Sequence, residues 1–189
     1  ADTSSRFYRF YMRLSSLPAA TATVFSLLDN AGTTTVGALR VQTDGTILLR
    51  NGAVTVDTST TALNINEWMR IELFYNAAAS VQTAKLYAGA NVNSTTPTET
   101  LTGAATNGAT SYMNIGMVTS QASQTYDIDE VETSTVTWLG PPSTASIPAV
   151  SSSIASPAAW SEAVSYTHLT LPHGRKEPRK ASVSACRRR

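Results

Sequence analysis

Cysteine and histidine are almost absent from this chain, and their placement matters. The single cysteine, Cys186, and both histidines, His168 and His173, fall beyond residue 160. Residues 1–160 contain neither type, which excludes Cys/His zinc sites, thiol nucleophiles and Ser-His triads from that stretch. A cysteine-free body is compatible with an extracellular or virion setting. Charge is also scarce: 14% of residues are charged, against 42% hydrophobic. Low charge with many Thr, Ser, Ala and Asn suits strands better than helices. No run is apolar enough to cross a bilayer as a helix, so membrane insertion is not expected. No segment carries a 3.6-residue apolar stripe.

The net charge of +1 conceals an asymmetry. Residues 1–160 hold seven basic and eleven acidic side chains, a balance of −4; residues 161–189 hold seven basic and two acidic, a balance of +5. An acidic body repels phosphate, so no nucleic-acid partner is expected. The chain opens on Ala1 and not Met, which reads as a processed chain or a fragment.

What the chain does contain is period-two alternation. Residues 66–75 (NEWMRIELFY) are the longest such run. Met69, Ile71, Leu73 and Tyr75 share one face of an extended chain, and Arg70 and Glu72 the other, a face expected to be wet or partly covered. The run 6–14 (RFYRFYMRL) places Tyr8, Phe10, Met12 and Leu14 opposite Phe7, Arg9, Tyr11 and Arg13. A strand is predicted at 23–29. A three-stranded meander follows over 36–57, turning at Asp44-Gly45 and Asn51-Gly52, dipeptides that supply the positive φ of tight hairpins. A loop is predicted over 58–66, then strands at 83–88, 98–102, 112–118 and 126–136. About ten short strands at regular spacing predict a two-sheet antiparallel sandwich. Residues 142–163, rich in Ser, Ala and Pro, read as a linker.

The order RFYMRLSSLP, Gly-containing meander, EWMRIELFYN, KLY, NIGMV, YDIDEVE, WLGP resembles the laminin-G-like, concanavalin A-like jelly rolls of bacterial secreted proteins and phage virion proteins. The resemblance covers residues 6–141 and gives a domain over 1–141. It implies an all-β, two-sheet antiparallel jelly-roll sandwich. Such domains begin with strands upstream of the RFYMRL element, so N-terminal strands are expected to be missing here, leaving Phe7 and Tyr11 partly uncovered. A second resemblance concerns the C-terminus. Residues 164–172 (VSYTHLTLP) are similar to one reading frame of the mosaic-end adapter used in preparing DNA libraries. Residues 164–189 are therefore expected to be a non-native, unstructured tail.

Three chemistries follow from the domain resemblance. Laminarinase-type glycosidases share the fold and carry a Glu-x-Asp-x-x-Glu strand whose glutamates serve as nucleophile and acid/base. Asp127, Asp129 and Glu132 match that spacing, with Asp in the first position and Glu130 where an apolar residue is expected. Laminin-G-like domains also bind Ca²⁺ at the sandwich rim, and Asp29, Asn30, Asp127 and Asp129 are the hard ligands on offer. No other cofactor is expected. Glycan binding needs aromatic platforms; Tyr11, Tyr87, Tyr112 and Tyr126, with Phe7, are the candidates, although for any single ring packing is the better explanation. The resulting expectation is a non-catalytic module for surface attachment, carbohydrate binding or virion structure. Its partners would be a glycan, another cell-surface ligand or other virion proteins, and its location extracellular or in a virion. The alternative is a glycoside hydrolase using the Asp127–Glu132 strand.

Overall fold

A computed structural model of the chain describes residues 5–117 and 125–142. Among the described residues ten strands run in order: β1 (Arg6–Leu14), β2 (Ala22–Leu28), β3 (Thr35–Val41), β4 (Thr46–Asn51), β5 (Val54–Ala62), β6 (Met69–Asn76), β7 (Val81–Ala88), β8 (Glu99–Ala104), β9 (Tyr112–Ile115) and β10 (Tyr126–Ser134). A short 3₁₀ turn, Gly89–Asn91, follows β7. The strands form two antiparallel five-stranded sheets. One, the front sheet, has the order β10-β1-β6-β7-β8; the other, the back sheet, has the order β5-β4-β3-β2-β9. The all-β, two-sheet sandwich read from the sequence is the fold.

The two alternating runs form the heart of the front sheet. β1 lies against β6 with Phe10 opposite Ile71 and Tyr8 opposite Leu73. Met69, Ile71 and Leu73 are all at most 2% exposed. They meet Phe25, Leu27, Leu39, Ile47 and Leu49 of the back sheet in one apolar cluster, in which Phe10 stacks on Phe25 at 5.4 Å. Each such side chain contributes about 1.5–3 kcal/mol by leaving water. The β3–β4 hairpin turns at Asp44-Gly45, where Gly45 has φ +86°. A side chain there would meet the Leu63 carbonyl at 2.9 Å, so the turn needs glycine twice over.

Several elements differ from the reading of the sequence. β5 continues to Ala62, through residues expected to form a loop. That stretch has little apolar alternation to signal it. It is held by polar bonds instead: Ser59 Oγ accepts the Ile47 amide at 2.8 Å, and Glu99 accepts the Thr60 and Thr61 amides, each at 2.7 Å. β9 stops at Ile115, before Gly116 at φ +105°. The outer face of the front sheet is not wet. Arg70 and Glu72 are 0% and 1% exposed, and Phe7 and Tyr11 are covered too. The covering comes from residues 89–98 on one side and 135–142 on the other. β1 lies between β6 and β10, paired along both of its edges. Residues 1–4, 118–124 and 143–189, which take in the predicted linker beyond Pro142 and all of the adapter-like tail, lie outside the described residues.

Candidate functional site

Three places were singled out by sequence, and the structure treats each differently. The acidic strand is β10. Its register on β1 shifts by one residue, so that Asp129 faces Tyr11 and Glu132 faces Arg9. The extra residue is at Glu130, whose φ of +51° marks the bulge. The bulge brings Asp127, Asp129 and Glu132 to one face despite their odd-and-even numbering. Each is then engaged separately. Asp127 accepts Arg13 Nε at 2.8 Å and Nη2 at 2.6 Å. Glu132 accepts Arg9 Nη2 at 2.6 Å, and Asp129 accepts the Glu130 amide at 2.8 Å. A retaining dyad needs its two carboxyl groups about 5 Å apart, one of them able to carry a proton. Here Asp127 and Glu132 are tied to arginines four residues apart on β1, about 13 Å along the strand. This geometry is that of two ion pairs clamping β10 to β1.

The calcium set does not converge. Asp29 and Asn30 follow β2, at the end of the sandwich near Arg6. Asp127 lies opposite Arg13, at the far end of β1. Seven residues of strand, about 20 Å, separate the two ends. Asp29 Oδ1 already accepts the Thr33 and Thr34 amides at 3.0 and 3.2 Å. These bonds hold its carboxyl below the ordinary range and shape the turn. Among the described residues no group of three or more His, Cys, Asp or Glu side chains is placed to hold a metal. The four residues proposed as calcium ligands therefore do not fit one site.

The aromatic candidates separate by exposure. Tyr87 is 2% exposed, beneath the Arg70 guanidinium at 3.6 Å, and Tyr11 is 8% exposed, donating from its hydroxyl to Asn93 Oδ1 at 3.0 Å. Both rings brace residues 89–98 against the front sheet, so neither offers a free face to a ligand. Arg70 joins them, donating to the Val92 and Ser94 carbonyls at 2.9 and 2.6 Å. Residues 135–142 cover the other half of that face. Trp138 packs on Phe7 at 5.3 Å, with Lys85 Nζ 3.8 Å from its ring centre, and Arg9 donates to the Gly140 carbonyl at 3.0 Å. Tyr126 turns inward, its hydroxyl against Gly116. Tyr112 alone of the four is exposed, at 56%.

Tyr112 stands at a cleft of about 210 Å³ where the open edges of the two sheets meet. The front sheet contributes Arg6, Tyr8 and Thr133; the back sheet contributes Thr110, Ser111, Tyr112 and Met113. One side of the Tyr112 ring rests on Gly32, in the turn after β2. The wall that carries it is anchored from beneath. Tyr75 donates to the Gly108 carbonyl at 2.7 Å, and Asn51 Oδ1 accepts the Thr106 amide at 3.2 Å. Thr110 Oγ1 donates to the Leu28 carbonyl at 2.9 Å. Burial pushes the Tyr75 phenol up, keeping it a neutral donor. Ser111 donates to Asn30 Oδ1, which ties the turn after β2 to this cleft. The sequence marked Tyr112 but not its neighbours; Arg6 and Thr133 are 127 residues apart in the chain and meet only through the β1–β10 pairing.

No protein-family model and no curated protein matches the chain. Solved structures similar to it include a mutant Trypanosoma rangeli sialidase displaying trans-sialidase activity, at 14% identity and TM-score 0.47, covering 69% of this chain and 20% of that one. The Trypanosoma rangeli sialidase in complex with a difluoro-KDN compound gives the same figures. The alginate lyase AlgAT5, of polysaccharide lyase family 7, is 11% identical with TM-score 0.45, covering 70% of this chain and 59% of that one. The chain thus spans less than two thirds of each. These likenesses concern the fold. They correct one expectation: the similar structures are named as enzymes, so the exclusion of catalysis drawn from the sequence is withdrawn.

Proposed function

We propose that this protein recognises carbohydrate, and that the cleft beside Tyr112 is where it does so. The observation that carries the reading is one aromatic ring, more than half exposed and backed by glycine, beside the hydroxyl-bearing residues Thr110, Ser111 and Thr133. A sugar presents C–H groups on its faces and hydroxyls at its rim. The ring takes the face, and polar groups beside it take the rim. A volume of about 210 Å³ suits one sugar unit, being smaller than the roughly 300 Å³ at which sites for drug-sized ligands begin. In this reading the chain serves attachment to a glycan-bearing surface, as part of a secreted protein or a virion.

The test is a glycan array probed with the full chain, followed by calorimetry on the best binder. Tyr112→Ala should weaken binding about tenfold or more, or ~1.4 kcal/mol, with an unchanged melting temperature. Tyr87→Phe, at a ring that faces residues 89–98, should leave affinity as it is. Binding that survives Tyr112→Ala undiminished would remove the cleft from the reading. Assaying the same mixtures for new reducing ends reads turnover separately.

A further inference from the structure

We propose that residues 89–98 form a strap that opens over a second ligand site, separate from the Tyr112 cleft, which takes the adjacent hydroxyls of a neutral sugar or polyol. The strap joins β7 to β8 across the outer face of the front sheet, and none of its own residues is buried. The side chains beneath it are: Arg70 is 0% exposed, Tyr87 2% and Tyr11 8%. Among the described residues, the sheet holds the strap between its ends through two side chains. Arg70 Nη1 and Nη2 donate to the Val92 and Ser94 carbonyls at 2.9 and 2.6 Å, and the Tyr11 hydroxyl donates to Asn93 Oδ1 at 3.0 Å. A segment that buries little of itself and rests on a few polar bonds opens at a fraction of the cost of unfolding. Gly89, at φ +56° with open space where a side chain would stand, supplies a pivot after β7.

Opening would bare a donor and an acceptor set side by side. Glu72 Oε1 lies 3.1 Å from Arg70 Nε, yet neither Glu72 oxygen accepts a hydrogen bond, and the residue is 1% exposed. The strap offers Arg70 carbonyl oxygens, which satisfy a guanidinium and give a carboxylate nothing. A buried acceptor left bare in this way is costly. A hydroxyl group meets both needs, because it accepts from Arg70 and donates to Glu72. Two adjacent hydroxyls can take the terminal nitrogens that the Val92 and Ser94 carbonyls occupy in the closed state. Arg70 and Glu72 together carry no net charge, so a neutral ligand suits the pair; a free carboxylate would suit Arg70 and be repelled by Glu72. Arg9 and Lys85 stand opposite Glu72 on the flanking strands, but both are engaged by residues 135–142, Arg9 through the Gly140 carbonyl and Lys85 through the Trp138 ring. The Tyr87 ring, its centre 3.6 Å from the guanidinium carbon, keeps Arg70 in place when the strap lifts.

The experiment is nuclear magnetic resonance on the full ¹⁵N-labelled chain, in two steps. The first follows exchange of the Arg70 Nε–H with solvent. It should proceed through openings that leave the backbone amides of β6 protected, and Tyr11→Phe, which removes one tie to the strap, should speed it about fivefold, the worth of one hydrogen bond. Exchange only together with the β6 amides would overturn the strap. The second step titrates the methyl glycosides of glucose, mannose and galactose, with sodium acetate as the anionic probe, into the chain carrying Tyr112→Ala, so that the cleft takes no part. At least one glycoside should shift the Arg70 Nε–H signal, and acetate should not. Adding Tyr11→Phe should tighten that binding by the same factor by which it speeds exchange, because apparent affinity follows the open fraction. Glu72→Gln, checked for folding by circular dichroism, should abolish it. Opening without a response to any of the three glycosides, or a response to acetate in their place, would overturn the hydroxyl assignment. Binding that Tyr11→Phe leaves unchanged would place the ligand elsewhere. None of these outcomes bears on the Tyr112 cleft, whose failure would show on the glycan array alone.

Discussion

Glu72 shows how much of this molecule turns on single side chains. It is 1% exposed, and neither carboxylate oxygen has a well-angled hydrogen bond. Arg70 Nε approaches Oε1 at 3.1 Å from two residues along the same strand, a contact close in distance but poor in direction. The pair is thus held by charge more than by hydrogen-bond geometry, in a setting where desolvation is costly. Breaking it from one side leaves an uncompensated buried charge. Arg70→Met is expected to cost about 3–5 kcal/mol, seen as a lower urea midpoint. The double variant Arg70→Met with Glu72→Leu should recover part of that loss, because it removes both charges. Glu99 acts differently. Desolvation raises its pKa, but the bonds it accepts from Thr60 and Thr61 outweigh this, and the net shift is downward. A carboxyl lowered in the folded state adds stability that is complete above its ordinary value of 4.5 and is lost as the pH falls through the folded value. Glu99→Gln should therefore flatten the acid side of the stability–pH profile measured by urea melts, with little change in slope above neutrality.

Among elements, the two open sides of the sandwich contrast. Where β5 meets β8, side-chain carboxylates cap the edge amides: Glu99 takes those of Thr60 and Thr61, and Asp57 takes that of Thr102 at 2.9 Å. Val56 packs so closely on Gly103 that a side chain there would collide at 2.3 Å. Each capped amide is one fewer donor for an incoming strand. Gly103→Ala should accordingly destabilise the protein by about 1–3 kcal/mol through overpacking, read as a fall in melting temperature. Where β9 meets β10, the edge instead carries the exposed Tyr112, Met113 and Val131, and the cleft. The covering segment 135–142 is fixed chiefly by Trp138 between Phe7, Phe74 and Lys85. Trp138→Ala should cost about 2–3 kcal/mol, less than a fully buried tryptophan because the ring is partly exposed. It should also raise the binding of a hydrophobic dye by uncovering the two phenylalanines.

At the scale of the whole molecule, the sandwich is closed by its most distant pairing. β1 and β10 meet across the chain, joined by Arg13 to Asp127 and Arg9 to Glu132. One apolar cluster spans both sheets. Sheet melting by far-ultraviolet circular dichroism and loss of tertiary signal in the near ultraviolet should give the same midpoint, as for a single cooperative unit. Folding should be slow for the chain's size, in milliseconds to seconds, since long-range pairings must close before they stabilise anything. Asp127→Ala and Glu132→Ala together should mainly accelerate unfolding in stopped-flow traces if that last pairing forms late.

The strands were legible because their signal is local. Alternation in 6–14 and 69–75, and glycine at Asp44-Gly45, are statements about neighbours in the chain, and a two-sheet core follows from burying the apolar face that each presents. The second half of β5 escaped because threonine amides bound by a distant glutamate leave no periodic trace. The site was only partly legible for the same reason. A tyrosine looks alike in sequence whether its ring faces solvent or a guanidinium, and it took residues 89–98 to bury Tyr87 and Tyr11 while nothing described covers Tyr112. The bulge at Glu130 likewise set Asp127, Asp129 and Glu132 on one face, and the arginines of β1 then claimed the two outer members of that set. Period and turn chemistry are written along the chain. Exposure, pairing and charge partners depend on residues a hundred positions away, and come into being when the two sheets close.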